Sequence, residues 1–426
     1  MADVSESTDE KYTYFEMDDG YSYVHRRGEP VTWLDYDAGL WLVGGLPELL
    51  EVLGDDEAFS SAHQFPNGRT AYTGVMQPPT PVRAVPIELD PPEYQPWRRA
   101  LAPRFGPGAV REMRPTIERY TDWCLDQVVE SGRADLFNDV VKLIPAMVTL
   151  NLIGLPVEDA EIVANAVHRR GPDRFNLSPA WKRMFDRISE AVRQRRQEPA
   201  DDLISHLLEM EVEGRKLTDL QVYEICFTIV VGGMSTTGKL LLGALSYFAV
   251  HREERARVIA EPALLESAIE EFLRYYSPVS FLARTATRDV CVAEQQIRQG
   301  DRVGMGFAAA NRDPRIFECP NEIRIDRKPN RHVAFGHGVH FCIGSRLGRF
   351  EAELVIERVL RRIPDYTLAD GEDDESVGEL LGIRESSVPR TRWGERLDRG
   401  LPVTFTPGAR VGAEPSAGFR LAKLAE

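Results

Sequence analysis

A glycine-rich run that contains a cysteine is the part of this sequence with the clearest chemical potential. Residues 335–344 are Phe-Gly-His-Gly-Val-His-Phe-Cys-Ile-Gly, and the glycines allow tight turns that a side chain would block. Apolar residues at helical spacing follow, which places Cys342 on a loop at the N-terminus of a predicted helix. Because the helix dipole favours negative charge there, the thiol is expected to ionise easily. Such a thiolate is a candidate nucleophile or metal ligand.

Two other roles for Cys342 stay open from residue types alone. Free cysteine is among the most buried residue types, so an inert core thiol is the simpler alternative. A zinc site drawn from Cys342, His332, His337 and His340 is the other. His332 and His337 have the spacing of structural zinc ligands, but no second cysteine follows them.

The run resembles the haem-ligand loop of the cytochrome P450 family, Phe-Gly-x-Gly-x-His-x-Cys-x-Gly, and fills each fixed position. The resemblance implies that the cofactor is haem b, iron protoporphyrin IX, with Cys342 as its thiolate ligand. It also implies that His340 reaches a haem propionate and that Phe335, Gly336 and Gly344 contact the cofactor. Thiolate ligation pushes electron density onto the iron and favours cleavage of the O–O bond.

Two further segments resemble the parts of the family that hold the haem propionates. Residues 90–98 resemble the family's Asp-Pro-Pro-Glu-His-x-x-x-Arg, with Arg98 matched and Tyr94 in place of the histidine. Tyr94 can donate a hydrogen bond but carries no charge. Residues 281–286 resemble the strand whose arginine, here Arg284, holds the other propionate, since a guanidinium binds a carboxylate through two hydrogen bonds.

A Glu-x-x-Arg pair, Glu271 and Arg274, has the spacing that places both side chains on one helix face. Taken alone, this spacing indicates an ordinary ion pair on a helix surface. The resemblance implies that the pair joins an arginine from a later segment, best matched by Arg327, in a structural lock behind the haem. The expected role of this lock is folding and haem retention.

A long buried helix is predicted from a capping box at residues 218–221 to about His251. It contains Val-Gly-Gly-Met-Ser-Thr-Thr at 231–237, and each glycine there should destabilise it by about 1 kcal/mol relative to alanine. The glycines therefore indicate a local distortion or a close helix contact. The resemblance implies the oxygen-binding region, with Thr236 at the family's catalytic hydroxyl position.

Ser235 is the main departure from the family, which usually has an acid at this position. A carboxylate there relays protons, whereas serine joins a hydrogen-bonded chain without titrating near neutral pH. Three possibilities stay open: Ser235 and Thr236 suffice with water, the substrate supplies the acid, or the reaction is not ordinary hydroxylation. The leading hypothesis is a haem-thiolate monooxygenase, and the alternative is a haem-thiolate peroxygenase or isomerase.

The substrate is expected to be an apolar molecule of small to medium size. The candidates for its contacts include Phe281, Leu282, Met234 and Gly232. Core packing explains most of the apolar candidates at least equally well. Residues 168–187 are unusually basic. A solvated surface explains this simply, and an anionic or carrier-protein-tethered substrate is the sharper hypothesis.

Electrons are expected from a ferredoxin or flavodoxin and its reductase, as in soluble bacterial members of the family. The other four cysteines are widely spaced, so no iron–sulfur domain is indicated. The net charge of −15 means that an acidic partner needs a local basic patch, and it argues against nucleic acid as a partner. The candidates for this patch are Arg346, Arg349, Arg99 and Arg104.

The sequence indicates a cytoplasmic protein with no membrane span. Its first residues are acidic and polar, unlike a signal peptide, and its five scattered cysteines suit a reducing compartment. The apolar runs 225–234 and 240–250 are each too short to cross a bilayer.

The predicted fold class is mainly α with a smaller β portion. Strands are expected near residues 31–42, and a hairpin is expected to turn at 299–301. The resemblance covers about residues 85–365 and implies the cytochrome P450 fold, a helical haem domain plus a small β-rich region. We expect a single haem-thiolate catalytic domain over residues 1–426, with 410–426 as a loosely ordered C-terminal tail.

Overall fold

The structure is a computed structural model that describes residues 28–34, 39–63, 74–76, 82–168, 179–369 and 400–422. The helices are, in chain order, α1 (Leu46–Gly54), α2 (Tyr94–Leu101), α3 (Pro107–Glu112), α4 (Arg114–Asp126), α5 (Leu143–Ile153), α6 (Ala160–Val167), α7 (Pro179–Gln197), α8 (Leu203–Glu209), α9 (Asp219–Val250), α10 (Arg252–Ala260), α11 (Leu264–Tyr276), α12 (Phe307–Ala310) and α13 (Ser345–Arg362). The strands are β1 (Val31–Leu34), β2 (Leu40–Val43), β3 (Phe59–Ser60), β4 (Arg133–Asp135), β5 (Glu211–Val212), β6 (Arg215–Lys216), β7 (Leu282–Ala286), β8 (Val290–Val292), β9 (Gln295–Ile297), β10 (Arg302–Met305), β11 (Thr367–Leu368) and β12 (Pro402–Thr404).

The largest sheet of the described residues has the strand order β1-β2-β10-β7-β3. The β2–β10 pair is parallel, and the other pairs are antiparallel. This sheet positions Arg284, which lies on β7 opposite Val303 of β10. A smaller sheet, β11-β12-β4, joins the end of the described chain to its first half. The predicted fold class, mainly helical with a smaller β portion, is confirmed.

The hairpin expected near residue 300 turns at a different place. β8 and β9 pair around a turn at Ala293 and Glu294, whose φ angles are 47° and 67°. Gly300 instead precedes β10, where its N–H donates to the Ala286 carbonyl over 2.8 Å. The predicted position of the turn is wrong because alanine and glutamate rarely adopt positive φ, so they carry no turn signal in the sequence.

α9 is the central helix of the fold. Thr218 and Gln221 cap its N-terminus reciprocally, as predicted, and it runs for 32 residues. It packs against α5, α11 and α13, and most of its residues are buried in the main apolar core.

Two described segments, Leu136–Ile153 and Asp219–Val250, are long and apolar enough to cross a membrane by composition alone. The runs 225–234 and 240–250 are continuous on α9, so the length argument against a span does not hold for this helix. Most of the apolar stretch in each segment is buried inside the fold, however, as in the core helices of globular proteins.

Residues 410–422, expected as a loosely ordered tail, contact α4. The N–H groups of Val411, Gly412 and Ala413 donate to the Asp126 carboxylate over 2.8–3.1 Å. The Phe419 ring packs edge-on against Trp123 with centroids 5.0 Å apart. These contacts tie the end of the described chain to the helical core.

Candidate active site

The loop before α13 holds Cys342 with backbone hydrogen bonds on both sides. The Cys342 N–H donates to the Phe335 carbonyl over 2.9 Å, and the Ser345 N–H donates to the Cys342 carbonyl over 3.3 Å. One short 3-10 turn, Gly338–His340, lies between these bonds. Cys342 therefore lies at the N-terminus of α13, which is the position that the sequence predicts.

Two glycines of this loop adopt the left-handed conformation. Gly336 has φ +73° and Gly338 has φ +71°. A Cβ added at Gly336 would meet open space, whereas one at Gly338 would lie 2.7 Å from the Leu53 carbonyl oxygen. Gly338 thus permits close contact between the cysteine loop and the end of α1.

We expect Gly338→Ala to lower the free energy of unfolding by about 3 kcal/mol, because the strained φ and the clash with Leu53 both oppose it. Gly336→Ala is the matched control. It shares the strained φ without the clash, so its expected cost is about 1 kcal/mol. Urea denaturation measures both losses of unfolding free energy, and we expect the slope of this free energy against urea concentration to be the same in all variants. Equal losses would show that the contact with α1 contributes nothing.

Cys342 is half-buried, and protein atoms surround its thiol. Burial raises the pKa of Cys342 above its usual value, while the N–H groups of Gly344 and Ser345 and the charges of Arg98 and Arg349 act in the opposite direction. The expectation that the thiol ionises easily is therefore wrong for the protein without a bound cofactor. Desolvation raises the pKa of the thiol more than the helix N-terminus lowers it. A metal ion in direct contact with the sulfur would favour the thiolate here.

Unpartnered buried nitrogen atoms lie near the thiol. Both ring nitrogens of His340 are buried without a hydrogen-bond partner in the described structure. Burial, together with Arg284 and Arg98, lowers the pKa of His340 to about 3. Its ring packs on Tyr94 with centroids 4.3 Å apart. Orphaned polar atoms of this kind indicate a site built for a polar ligand group.

Arg284 and Arg98 supply positive charge to the surroundings of His340. Arg284 is 1% exposed, and its Nη1 donates to the Val52 carbonyl over 3.1 Å and to Asp56 over 3.3 Å. Its Nε has no partner among the described residues. Burial raises the pKa of Tyr94, and a hydrogen bond with Arg98 opposes this shift. The partner Asp56 has no signal in the sequence that links it to Arg284.

Glu271 and Arg274, which are fully buried, meet the largely buried side chain of Arg327 in one network. Arg274 donates from Nε and Nη2 to the two Glu271 carboxylate oxygens, each over 2.8 Å. Arg327 Nε donates to both oxygens over 3.0 Å, and Asn330 donates over 3.1 Å. The structure thus brings together the three residues of the expected lock and adds Asn330.

A second network was not expected from the sequence. Arg349 donates to the Glu270 carboxylate over 2.6 and 2.9 Å, and His332 Nε2 lies 3.1 Å from it. Burial alone would raise the pKa of Glu270, but the hydrogen bonds from Arg349 and His332 lower it to about 2. The Arg349 guanidinium also lies 4.3 Å from the centre of the Phe335 ring.

The zinc alternative has no support among the residues that the structure describes. No group of three or more His, Cys, Asp or Glu side chains there has the arrangement of metal ligands. His332, one of the four candidate ligands, lies against Glu270 instead.

The adjacent glycines Gly232 and Gly233 of α9 have different surroundings. A Cβ at Gly233 would lie 2.8 Å from Thr149 Oγ1 on α5, so this glycine permits close helix packing. A Cβ at Gly232 would meet nothing within 4 Å. Thr236 Oγ1 donates to the Gly232 carbonyl over 2.6 Å, and the helix continues without a break. Gly232 and Thr236 therefore lie on an open part of the helix.

The other substrate-contact candidates fall in different environments. Met234 is fully buried in the main core. Phe281 packs on a small apolar cluster of Leu34, Leu40 and Leu42. Leu282 is half-buried and begins β7. Gly232, Phe281 and Leu282 thus remain candidates with accessible surface, whereas Met234 has the burial of a core residue.

Comparison with known proteins identifies the family. Residues 170–364 match the model of the cytochrome P450 family. The chain is similar to the polyketide biosynthesis cytochrome P450 PksS of Bacillus subtilis strain 168, with 35% identity over 68% of this chain and 72% of that protein. It is similar to the steroid C26-monooxygenase of Mycolicibacterium smegmatis, with 33% identity over 80% of this chain and 84% of that protein.

Solved structures of cytochromes P450 are also similar to this chain. The structure of PksS from Bacillus subtilis 168 has a TM-score of 0.76 and 28% identity, covering 92% of this chain and 97% of its own. The structure of P450BioI in complex with hexadec-9Z-enoic acid ligated acyl carrier protein has a TM-score of 0.75 and 27% identity, covering 92% and 98%.

The chain belongs to the cytochrome P450 family and has its fold. Family members bind haem b and are haem-thiolate monooxygenases, so the protein is an oxidoreductase of that class. The described residues fit this cofactor. A buried thiol suits an iron ion, and the unpartnered nitrogens of His340 and Arg284 suit carboxylate groups such as propionates.

Proposed function

We propose that the protein inserts one oxygen atom from O2 into an apolar organic substrate of small to medium size, using electrons from a separate redox partner. The observation that carries this proposal is the position of Cys342 at the N-terminus of α13, on the same loop as the unpartnered ring nitrogens of His340. Cys342 would hold the haem iron. When bound, the haem supplies the activation of dioxygen.

The propionates of this haem would be held by His340, Arg98, Tyr94 and Arg284. Arg284 is held by Val52 and Asp56, so its guanidinium is oriented before the cofactor binds. Tyr94 packs on His340 and orients its ring. Phe335, Gly336 and Gly344 would contact the cofactor from the cysteine loop. A Cβ at Gly344 would lie 3.9 Å from Cys342 Sγ, in ordinary van der Waals contact, so Gly344 lies directly beside the thiol.

Thr236 would supply the hydroxyl group that hands protons to the oxygen site. Its hydroxyl donates to the Gly232 carbonyl, which fixes the direction of its lone pairs. Ser235 is half-buried on the same turn and would extend the hydrogen-bonded chain. Gly232 leaves open space beside both hydroxyls.

The substrate would contact Gly232, Phe281 and Leu282, with Met234 shaping the pocket from behind. Relatives named for polyketide biosynthesis and for steroid oxidation support an apolar substrate. A carrier-protein-tethered substrate is supported by the structural neighbour that binds an acyl-ligated carrier protein.

The basic region 168–187 adds little support for a tethered or anionic substrate. Arg183 and Arg187 both pair with Asp159, at 2.6 and 2.9 Å, and His168 is largely buried. The other arginines of this region, Arg169, Arg170 and Arg174, lie outside the described residues.

The redox partner would be a ferredoxin or flavodoxin with its reductase, in the cytoplasm. Two of the four candidate docking arginines are engaged in ion pairs: Arg349 with Glu270 and Arg104 with Asp201. Arg346 and Arg99 are exposed and would carry the docking patch. An acidic partner would be attracted to these charges at low ionic strength.

A second candidate function is a haem-thiolate peroxygenase or isomerase. Ser235 favours it, because no carboxylate stands at the family's acid position to deliver protons during O2 cleavage. A peroxide already carries the reduced oxygen and its protons. The two functions differ in the oxidant that they use.

The test is turnover with isotopically labelled O2. The protein with haem is supplied with a ferredoxin, its reductase and NADPH, and with apolar compounds selected by their spin-state shift. We expect label in the product, and we expect Thr236→Ala to form product about 100-fold more slowly while peroxide accumulates. Product formed from peroxide alone, without the label of O2, would support the second function. An unchanged rate in Thr236→Ala would remove this residue from the mechanism.

A further inference from the structure

The accessible positions in the middle of α9 form one stripe. The half-buried or exposed residues of this stripe are Thr228, Ile229, Val231, Gly232, Gly233, Ser235, Thr236 and Lys239. Steps of three and four residues place them on one helix face. α9 packs against α5, α6, α7, α11 and α13, and this stripe is the side of the helix that keeps accessible surface between these contacts. We call it the open face of α9.

Lys239 is the one charged side chain of this open face. It follows Ser235 by four residues, so their Cβ atoms are neighbours about 5–6 Å apart. Its Nζ donates to the Pro278 carbonyl over 3.2 Å. Pro278 lies just after α11, in the segment that leads to Phe281 and Leu282. The ammonium therefore lies where the open face meets the candidate substrate segment.

We propose that Lys239 is an ionisable positioning residue. It compensates for the absence of a carboxylate at position 235, where this chain has serine. It would orient the hydroxyls of Ser235 and Thr236 and pass protons to them. The inference rests on the proposed function, because it concerns proton supply for the same reaction. An ammonium is a hydrogen-bond donor only, so it orients a hydroxyl by donating to its oxygen.

The proton balance is simple. Insertion of one oxygen atom consumes one O2, two electrons and two protons, and it yields the hydroxylated product and one water. The redox partner supplies the electrons. Each proton would leave Lys239 Nζ for the Ser235 hydroxyl, move to Thr236 and then to the oxygen site, and solvent would protonate Lys239 again.

The competing explanation is a purely structural role. Lys239 ties α9 to Pro278, the second residue after α11, and loss of that bond alone would change stability. The two roles differ in what a substitution changes. A structural tie affects the free energy of unfolding and haem content, whereas a proton-supplying group affects how electrons divide between product and hydrogen peroxide.

Lys239→Met keeps the length of the side chain and removes its charge, and Lys239→Arg keeps the charge. In Lys239→Met we expect a normal carbon monoxide spectrum and a rate of O2-driven product formation about 10-fold to 100-fold lower, with matching peroxide release. Lys239→Arg should retain most activity. Adding Ser235→Asp to Lys239→Met should restore coupling, because it supplies a carboxylate.

Lys216→Met, at an exposed lysine on β6, is the matched control and should behave like the parent protein. Unchanged coupling in Lys239→Met would overturn the proposal. So would lower stability in both Lys239 variants with an unchanged ratio of peroxide to product.

A second readout does not depend on turnover. The chain has 7 lysines, so NMR of isotope-labelled dimethyl-lysine groups gives few signals, and the one absent from Lys239→Arg belongs to Lys239. We expect Ser235→Ala to shift this signal and to leave the others in place. No shift would show that the two side chains do not interact. If the parent protein forms no product from O2, the proposed function fails while the shift still reports on Lys239.

Discussion

The Cys342→Ser variant is expected to fold but to lack the strongly red-shifted Soret band of the reduced carbon monoxide complex. Serine nearly preserves the volume of cysteine, yet its hydroxyl does not ionise near neutral pH and is a poor ligand for haem iron. Burial already raises the pKa of the Cys342 thiol, so a less acidic group in its place would stay neutral. O2-driven turnover should therefore be lost.

The matched control is Cys291→Ser. Cys291 is exposed on β8, away from the cysteine loop in sequence, and the variant should keep the spectrum and the turnover of the parent protein. Optical spectra, haem content and product formation are measured for all three proteins. A red-shifted band in Cys342→Ser would show that another residue holds the iron, and the proposed site would have to be rejected.

Local sequence patterns predicted the elements that hold the site. The capping box at Thr218 and Gln221 marks the start of α9 because it satisfies backbone groups within one turn. The Glu271 and Arg274 pair is likewise visible from its spacing. In each case the partners are three residues apart, so the sequence contains the whole interaction.

Contacts between distant segments could not be predicted in this way. Arg349 was expected to lie free for a redox partner, but it pairs with Glu270, 79 residues earlier. Asp56 and Arg284 are 228 residues apart. Neither pairing has a periodic signal, because it depends on how the helices and the sheet pack.

The burial of individual residues on a correctly predicted helix also could not be read from the sequence. Met234 and Lys239 both lie on α9, and sequence reasoning singled out Met234 as a substrate contact because it is apolar. The structure buries Met234 in the core and leaves Lys239 on the open face. The step of three from Gly232 to Ser235 and the step of four from Ser235 to Lys239 are visible in the sequence. Only the packing shows which face of the helix is open.

Glu271→Gln is expected to destabilise the protein by about 3–5 kcal/mol, since it removes one partner of a buried charge network. Arg274 and Arg327 both donate to the two Glu271 oxygens, and the carboxylate is fully buried. A glutamine amide offers one acceptor and turns two N–H donors towards these guanidinium groups. Two buried positive charges would then lack their counter-charge.

Glu322→Gln is the control for loss of an ion pair at the surface. Glu322 is exposed and pairs with Arg324 over 2.9 Å, so its expected cost is at most about 1 kcal/mol. Urea denaturation of the haem-bound proteins measures both costs, and the rate of haem transfer to an acceptor protein measures retention. Glu271→Gln should also lose haem faster, because Arg274 binds the Asn311 carbonyl and Asn311 in turn binds the N–H of Val333, at the start of the segment that leads to the cysteine loop. Equal costs for the two variants would show that the buried network does not stabilise the fold.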